Sequence, residues 1–140
     1  MTLTHPRLPD WQDRLSALIA RAHREPFVWG QRDCCLWAAD AMLAITGFDP
    51  AAGLRGRYSN ATGAYRLLRT IGGLRGAGQW GGPQLPGPRF ARDGDVGIVD
   101  GSDRPMLAVR SAEVWLCAAT KGLRALPVDA ARIAWGVGHA

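Results

Sequence analysis

Apolar and polar positions change period about two thirds of the way along the chain. From Trp11 to Ala22, the residues Trp11, Leu15, Leu18, Ile19 and Ala22 recur at helical spacing, which predicts an amphipathic helix from an Asp10 cap to about His23. Glu25-Pro26 closes it, because the residue before a proline avoids helical geometry. A second helix is predicted from Asp33 to about Thr46, with Gly47 as its stop. Its residues are apolar nearly all round (Cys34, Cys35, Leu36, Trp37, Ala38, Ala39, Ala41, Met42, Leu43, Ile45), so it belongs inside the molecule. Phe48 to Tyr58 reads as an irregular loop carrying arginines. Ser59 or Asn60 then caps a third helix over Ala61 to Ile71 that ends at Gly72-Gly73.

Residues Leu74 to Pro88 are rich in glycine and proline and are expected to form a loop, either a surface lid or a flexible arm. From Asp93 onward short alternating runs replace the helical spacing. Asp95 to Val99, Met106 to Arg110, Val114 to Ala118, Leu123 to Val128 and Ile133 to Val137 read as strands, with a turn at Asp100-Gly101-Ser102-Asp103. Helices followed by a β-meander predict an α+β fold in one domain over residues 1–140, with 1–9 as an N-terminal extension. One sheet face is expected to pack on the second helix.

Bulk properties narrow the function classes. The chain has 140 residues, 47% hydrophobic and 21% charged, which suits a folded globular domain rather than a disordered chain. Its net charge of +5 comes from scattered arginines with a single lysine, Lys121. Such scatter attracts anionic partners weakly. No dense basic run or nucleic-acid motif is present, so specific nucleic-acid binding is not expected and protein binding is favoured. Met1 to Pro6 lacks the pattern of a signal peptide, and no apolar run is long enough to span a bilayer. Synthesis and folding in a cytoplasm are expected. Three cysteines, two of them adjacent, do not make a disulfide framework, and the directions of Cys34 and Cys35 on a helix keep them from bridging each other.

The candidate chemistry lies where the second helix begins. Asp33 caps it and Cys34 occupies its first turn. Backbone N–H groups there lack intrahelical partners and the helix dipole favours negative charge, so a thiol in that place is biased toward thiolate. Cys34 is therefore either a nucleophile or, as free cysteines often are, a small buried hydrophobe. Cys35 is expected in the core. The local sequence offers too few ligands for a metal, and no cofactor is expected. Asp40, buried among alanines, requires a cation, and Arg55 or Arg57 can supply it as a structural bridge or as part of a binding site. Trp80, in the glycine-rich stretch, is a candidate partner contact that could equally fold back on the core.

Pro26-Phe27-Val28-Trp29-Gly30, Asp33-Cys34, Gly94-Asp95-Val96, Trp115-Leu116-Cys117-Ala118 and Gly122-Leu123-Arg124-Ala125-Leu126-Pro127, in that order, resemble the NlpC-type branch of the papain-like cysteine peptidases over about the final four-fifths of the chain. Asp33-Cys34-Cys35-Leu36-Trp37-Ala38-Ala39-Asp40 followed by Arg55-Gly56-Arg57-Tyr58 is similar to a subgroup of small phage and prophage proteins found beside tail genes. The resemblance implies a papain-like fold and Cys34 in the nucleophile position; the candidate binding residues are Trp29, Asp33, Asp40, Arg57, Trp80 and Cys117, on the cleft and the Leu74 to Pro88 arm. It implies tail or tail-tip proteins, or peptidoglycan, as partners, and a place in the host cytoplasm during synthesis and then in the virion tail. The family's general base is a histidine at the start of the next strand. Here the aligned position is Met106 or Leu107, and Cys117 stands where the orienting polar residue belongs. A thioether or an isobutyl group accepts no proton. Of the three histidines, His5 lies in a terminus expected to be mobile and His23 closes the first helix, which leaves His139 as the candidate substitute base. The expected function is a degenerate, non-catalytic tail component. The alternatives are an active peptidoglycan endopeptidase or amidase using Cys34, and a cytoplasmic protein-binding domain.

Overall fold

Helix α2 (Cys34–Thr46) is the axis of the molecule in the computed structural model, which describes residues 5–101 and 103–138. Asp33 caps it by accepting the Leu36 N–H, and Gly47 ends it in the left-handed conformation at φ 79°. Cys35, Leu36, Trp37, Ala38, Ala39, Ala41, Met42 and Ile45 are buried, as expected of a helix without a polar face. That composition follows from its surroundings: α1 (Trp11–Ala22) covers one side through Leu15, Leu18 and Ala22, the sheet covers another, and the 48–58 loop closes a third through Ala51 and Tyr58. Asp10 stands at the start of α1 but does not cap it with its side chain. Its carboxylate instead takes the Arg14 Nε–H at 2.9 Å, one turn along.

Helix α3 (Ala61–Arg69) begins at Asn60, whose side chain accepts the Gly63 N–H at 2.8 Å. The stretch that follows is not the flexible arm its composition suggests. Gly73–Gly78 forms a short helix, α4, and Gln79–Gly81 continues it as a 3-10 turn. Glycine is a poor helix former, so packing decides here. Ala77 and Gly78 are buried, and a β-carbon on Gly78 would come within 2.3 Å of the Trp135 ring. Trp80 turns inward and packs on the buried clusters around α2.

Five antiparallel strands follow: β1 (Val96–Asp100), β2 (Pro105–Ser111), β3 (Val114–Ala118), β4 (Leu123–Pro127) and β5 (Ala131–Trp135). The first four form the expected meander. The fifth does not extend it: the spatial order is β4-β3-β2-β1-β5. Only Val128–Ala130 separates β4 from β5 in sequence, a span of at most about 14 Å, whereas edge strands of a flat five-stranded sheet lie about 19 Å apart. The sheet must therefore curl. A bulge between Ile98 and Val99, where β5 fits Arg132 in as an extra residue, assists the bend. Curling buries both faces. Val96, Ile98, Leu107, Val109, Ile133 and Trp135 face the helices, while Val99, Met106, Ala108, Trp115, Cys117 and Ala134 fill the concave side.

The N-terminal segment belongs to the fold from His5 onward. His5 stacks on Phe48 at 4.2 Å, in place of the expected mobile end. Arg7 donates to the Val137 and Asp93 carbonyls and pairs with the buried Asp95 at 2.9 Å. Asp95 also accepts the Val137 and Arg92 N–H groups, so the glycine-aspartate pair ahead of β1 locks the N-terminal segment to the end of β5.

Candidate functional site

The segment 26–33 delivers the cysteine. Phe27 N–H donates to the Thr120 carbonyl at 2.9 Å, and a tight turn joins Val28 to Arg32. The buried Arg32 donates to the carbonyls of Ala22 and Gly122, fixing the segment between the end of α1 and the β3–β4 turn. Gly30 sits at φ 82°, and a β-carbon there would fall 1.9 Å from the Tyr58 carbonyl oxygen. Only glycine permits both the backbone conformation and that approach.

Asp33 is buried and its carboxylate takes three donors. Leu36 N–H reaches Oδ1 at 3.0 Å, and Gly30 N–H and the Tyr58 hydroxyl reach Oδ2 at 3.1 and 2.5 Å. One side chain thus caps α2 and ties both flanking loops to its first turn. Burial, then the bond to Asp33, pushes the Tyr58 hydroxyl far above the usual phenol range.

Cys34 is partly exposed and packs between the helix-facing and concave clusters. Its Sγ lies 4.0 Å from that of Cys35. The Cys35 thiol, the Leu107 backbone N–H and the Arg104 charge pull the Cys34 thiol below its ordinary value, against burial and the Asp33 charge. The same contact with Cys34, reinforced by burial, pushes Cys35 well above the usual thiol value. All three cysteines are free. Cys34 is therefore the one of them held toward thiolate.

Two hollows adjoin near this thiol, and Cys34 lines the smaller one. Trp29, Asp33, Cys34, Tyr58, Tyr65 and Arg104 border a narrow cavity of about 30 Å³. Beside it opens a cleft of about 420 Å³ walled by Phe27, Trp29, Arg104, Met106, Cys117 and Arg124. Trp29 and Arg104 belong to both. Phe27 and Trp29 meet edge to face at 4.8 Å, and the Arg104 guanidinium lies 5.0 Å above the Trp29 ring.

Met106 projects into the cleft, whereas Leu107 packs against the helices and offers Cys34 only its backbone. A thioether thus stands in the cleft wall. Cys117 lines the same cleft with its thiol pushed up to about 11, chiefly by burial, and donates weakly to the Arg124 carbonyl at 3.7 Å. His23 is exposed at the end of α1 and His5 is on Phe48. His139 lies outside the described residues. Among the described residues no three His, Cys, Asp or Glu side chains gather into a metal-binding group, and no helix is long and apolar enough to cross a membrane.

Of the residues singled out from sequence, Trp29, Asp33, Cys34 and Cys117 come together. Asp40, Arg57 and Trp80 do not. Asp40, expected to be buried, is only partly so because it sits at the edge of α2 beside the 48–58 loop; it pairs with Arg55, one of the two arginines anticipated, at 2.7 Å, and Arg55 also holds Asp49 at 2.9 Å. Arg57 reaches only the Gly53 carbonyl. Trp80 is packed near Met42 and Phe48, away from the cleft. Tyr58 and Arg104 went unrecognised as site residues. Arg104 carried a usable signal, since it precedes Met106 by two residues and strand alternation puts such a pair on one face. Tyr58 reaches Asp33 across 25 residues and carried none.

Fold and site together define an α+β domain in which a helix N-terminus aims a thiol at a curled antiparallel sheet. The chain belongs to the family described as domain of unknown function DUF6950, whose family model matches residues 6–137. No curated protein and no solved structure matches it.

Proposed function

We propose that this protein is a degenerate NlpC-like domain that binds rather than cleaves, serving as a component or assembly factor of a phage or prophage tail. The binding surface is the cleft beside Cys34. The observation that carries the reading is the thioether of Met106 in the cleft wall, since Met106 or Leu107 takes the place of the base in the resembled peptidases and neither accepts a proton. General-base help supplies a factor of about 10² to 10⁴, and a thiol without it performs slow acyl transfer at best. The partner is a tail or tail-tip protein, met in the host cytoplasm before incorporation into the virion.

Digestion of muropeptides by the wild type and Cys34→Ala, side by side, tests this. The expected result is intact muropeptides with both, and tail assembly preserved in Cys34→Ala. Robust cleavage by the wild type that disappears in the variant refutes it. The second reading, a peptidoglycan endopeptidase or amidase with Cys34 as nucleophile, draws support from the lowered Cys34 thiol, and that result would establish it.

A further inference from the structure

Arg104 is a half-buried cation in an unusual position. Its side chain borders both the cleft and the cavity over Cys34, its guanidinium rests on the face of Trp29, and its side-chain hydrogen bond among the described residues is a long one, 3.5 Å to the exposed Tyr65 hydroxyl. Among the described residues no carboxylate pairs with it. Stacking on an aromatic ring fixes the guanidinium plane and leaves its remaining N–H groups open to the cleft, and a planar fork of donors matches a carboxylate.

We infer that Arg104 anchors a carboxylate, and that the cleft receives the free carboxyl end of a partner's peptide chain. This deepens the binding reading of the cleft and rests on it. The size fits, since about 420 Å³ lies in the range of small-ligand sites. The charge fits a monoanion. Asp103, Arg104 and Arg124 are the charged residues of the wall, leaving one net positive charge, which is too little for a polyphosphate or a nucleic-acid backbone. The remaining wall suits a short apolar or amide body: Phe27, Met106, Ala118 and Ala119 are apolar, and Thr120 adds a hydroxyl. The carboxylate would lie over the Trp29–Arg104 stack, next to Cys34.

The test compares N-acetyl-alanyl-alanine with its C-terminal amide, two probes that differ by the one charge. Binding is read from the Trp29 indole N–H resonance in the full chain. The acid is expected to shift that resonance saturably at millimolar concentration and the amide at least about tenfold more weakly, the range for losing one charge-assisted contact. Arg104→Gln should abolish the difference, Arg104→Lys should keep part of it, and added salt should shrink it. Wild-type thermal unfolding of Arg104→Gln shows that the fold is intact, and the acid–amide comparison in the wild type requires no variant. Equal responses to acid and amide, no shift by the acid up to about 10 mM, or an undiminished preference in Arg104→Gln would overturn the inference. Repeating the titration in Cys34→Ala separates this from the proposed function. Carboxylate preference there, alongside muropeptide cleavage by the wild type, leaves Arg104 as the anchor and removes the non-catalytic reading. Intact muropeptides with no preference do the reverse.

Discussion

Replacing Asp33 with asparagine separates the two things this carboxylate does. The side chain is buried and accepts from Leu36 N–H, Gly30 N–H and the Tyr58 hydroxyl. In Asp33→Asn the carboxamide oxygen retains the Leu36 bond, so the cap survives. The amide nitrogen then faces the Gly30 N–H, a donor against a donor, and an orphaned buried N–H costs about 1–3 kcal/mol. The Tyr58 hydroxyl can rotate to accept, which forfeits only the assistance of the charge, about 1 kcal/mol. A neutral carboxamide is cheaper to bury than an ion, and that offset brings the net loss to about 1–3 kcal/mol. For a chain of this size the unfolding midpoint should fall by on the order of 5–10 °C. The second effect has the opposite sense. The Asp33 charge is one of the influences holding the Cys34 thiol up, so its removal should move the midpoint of Cys34 alkylation to lower pH. Tyr58→Phe is the control, losing a donor but keeping the charge. Thermal melts and pH-resolved alkylation followed by peptide mapping read both effects. An unchanged melting temperature, or a Cys34 midpoint that rises, would refute the assignment of Asp33 as a three-donor cap that opposes the thiolate.

Other outcomes follow from neighbouring features. At neutral pH a small alkylating reagent should modify Cys34 faster than Cys35 or Cys117, in keeping with the directions in which their thiols are shifted; equal, slow modification of all three in the native protein would make Cys34 a core residue only. Because the folded chain holds Cys117 up to about 11 from 9.0, the unfolded chain loses that proton first; stability is full below about pH 9 and declines as pH rises toward 11. Cys117→Val should flatten that decline in urea titrations, and an identical alkaline slope would contradict the assignment. Gly78→Ala places a methyl group 2.3 Å from the Trp135 ring and should cost about 1–3 kcal/mol by overpacking; a neutral or stabilising result would mean that α4 is not seated on the sheet.

Local signals fixed much of this protein. Asp33 and Gly47 bracket α2 because a carboxylate satisfies free N–H groups and glycine enters the left-handed conformation without strain. The stripe of Leu15, Leu18 and Ala22 marks the buried face of α1, and alternation marks all five strands to within a few residues. Cys34 in the first turn and Asp40 needing an arginine were likewise legible, because each concerns neighbours in sequence or an elementary requirement of charge.

What the chain did not disclose is whatever depends on which distant surfaces meet. The alternation of β5 is the same whether it extends the meander or returns beside β1. Burial of Ile133 and Trp135 against the helices and the bond from Val137 to Asp95 favour the return. Glycine spacing over 73–78 predicts a loop, yet burial against Trp135 makes it helix, since packing outweighs weak intrinsic preference. The site followed the same rule. The sequence placed Cys34 at a helix start, but curling of the sheet decided that Met106, Cys117 and Arg104 would surround the space beside it. Helix and strand periods are written by neighbouring residues; the contents of a cleft depend on contacts between residues far apart in the chain.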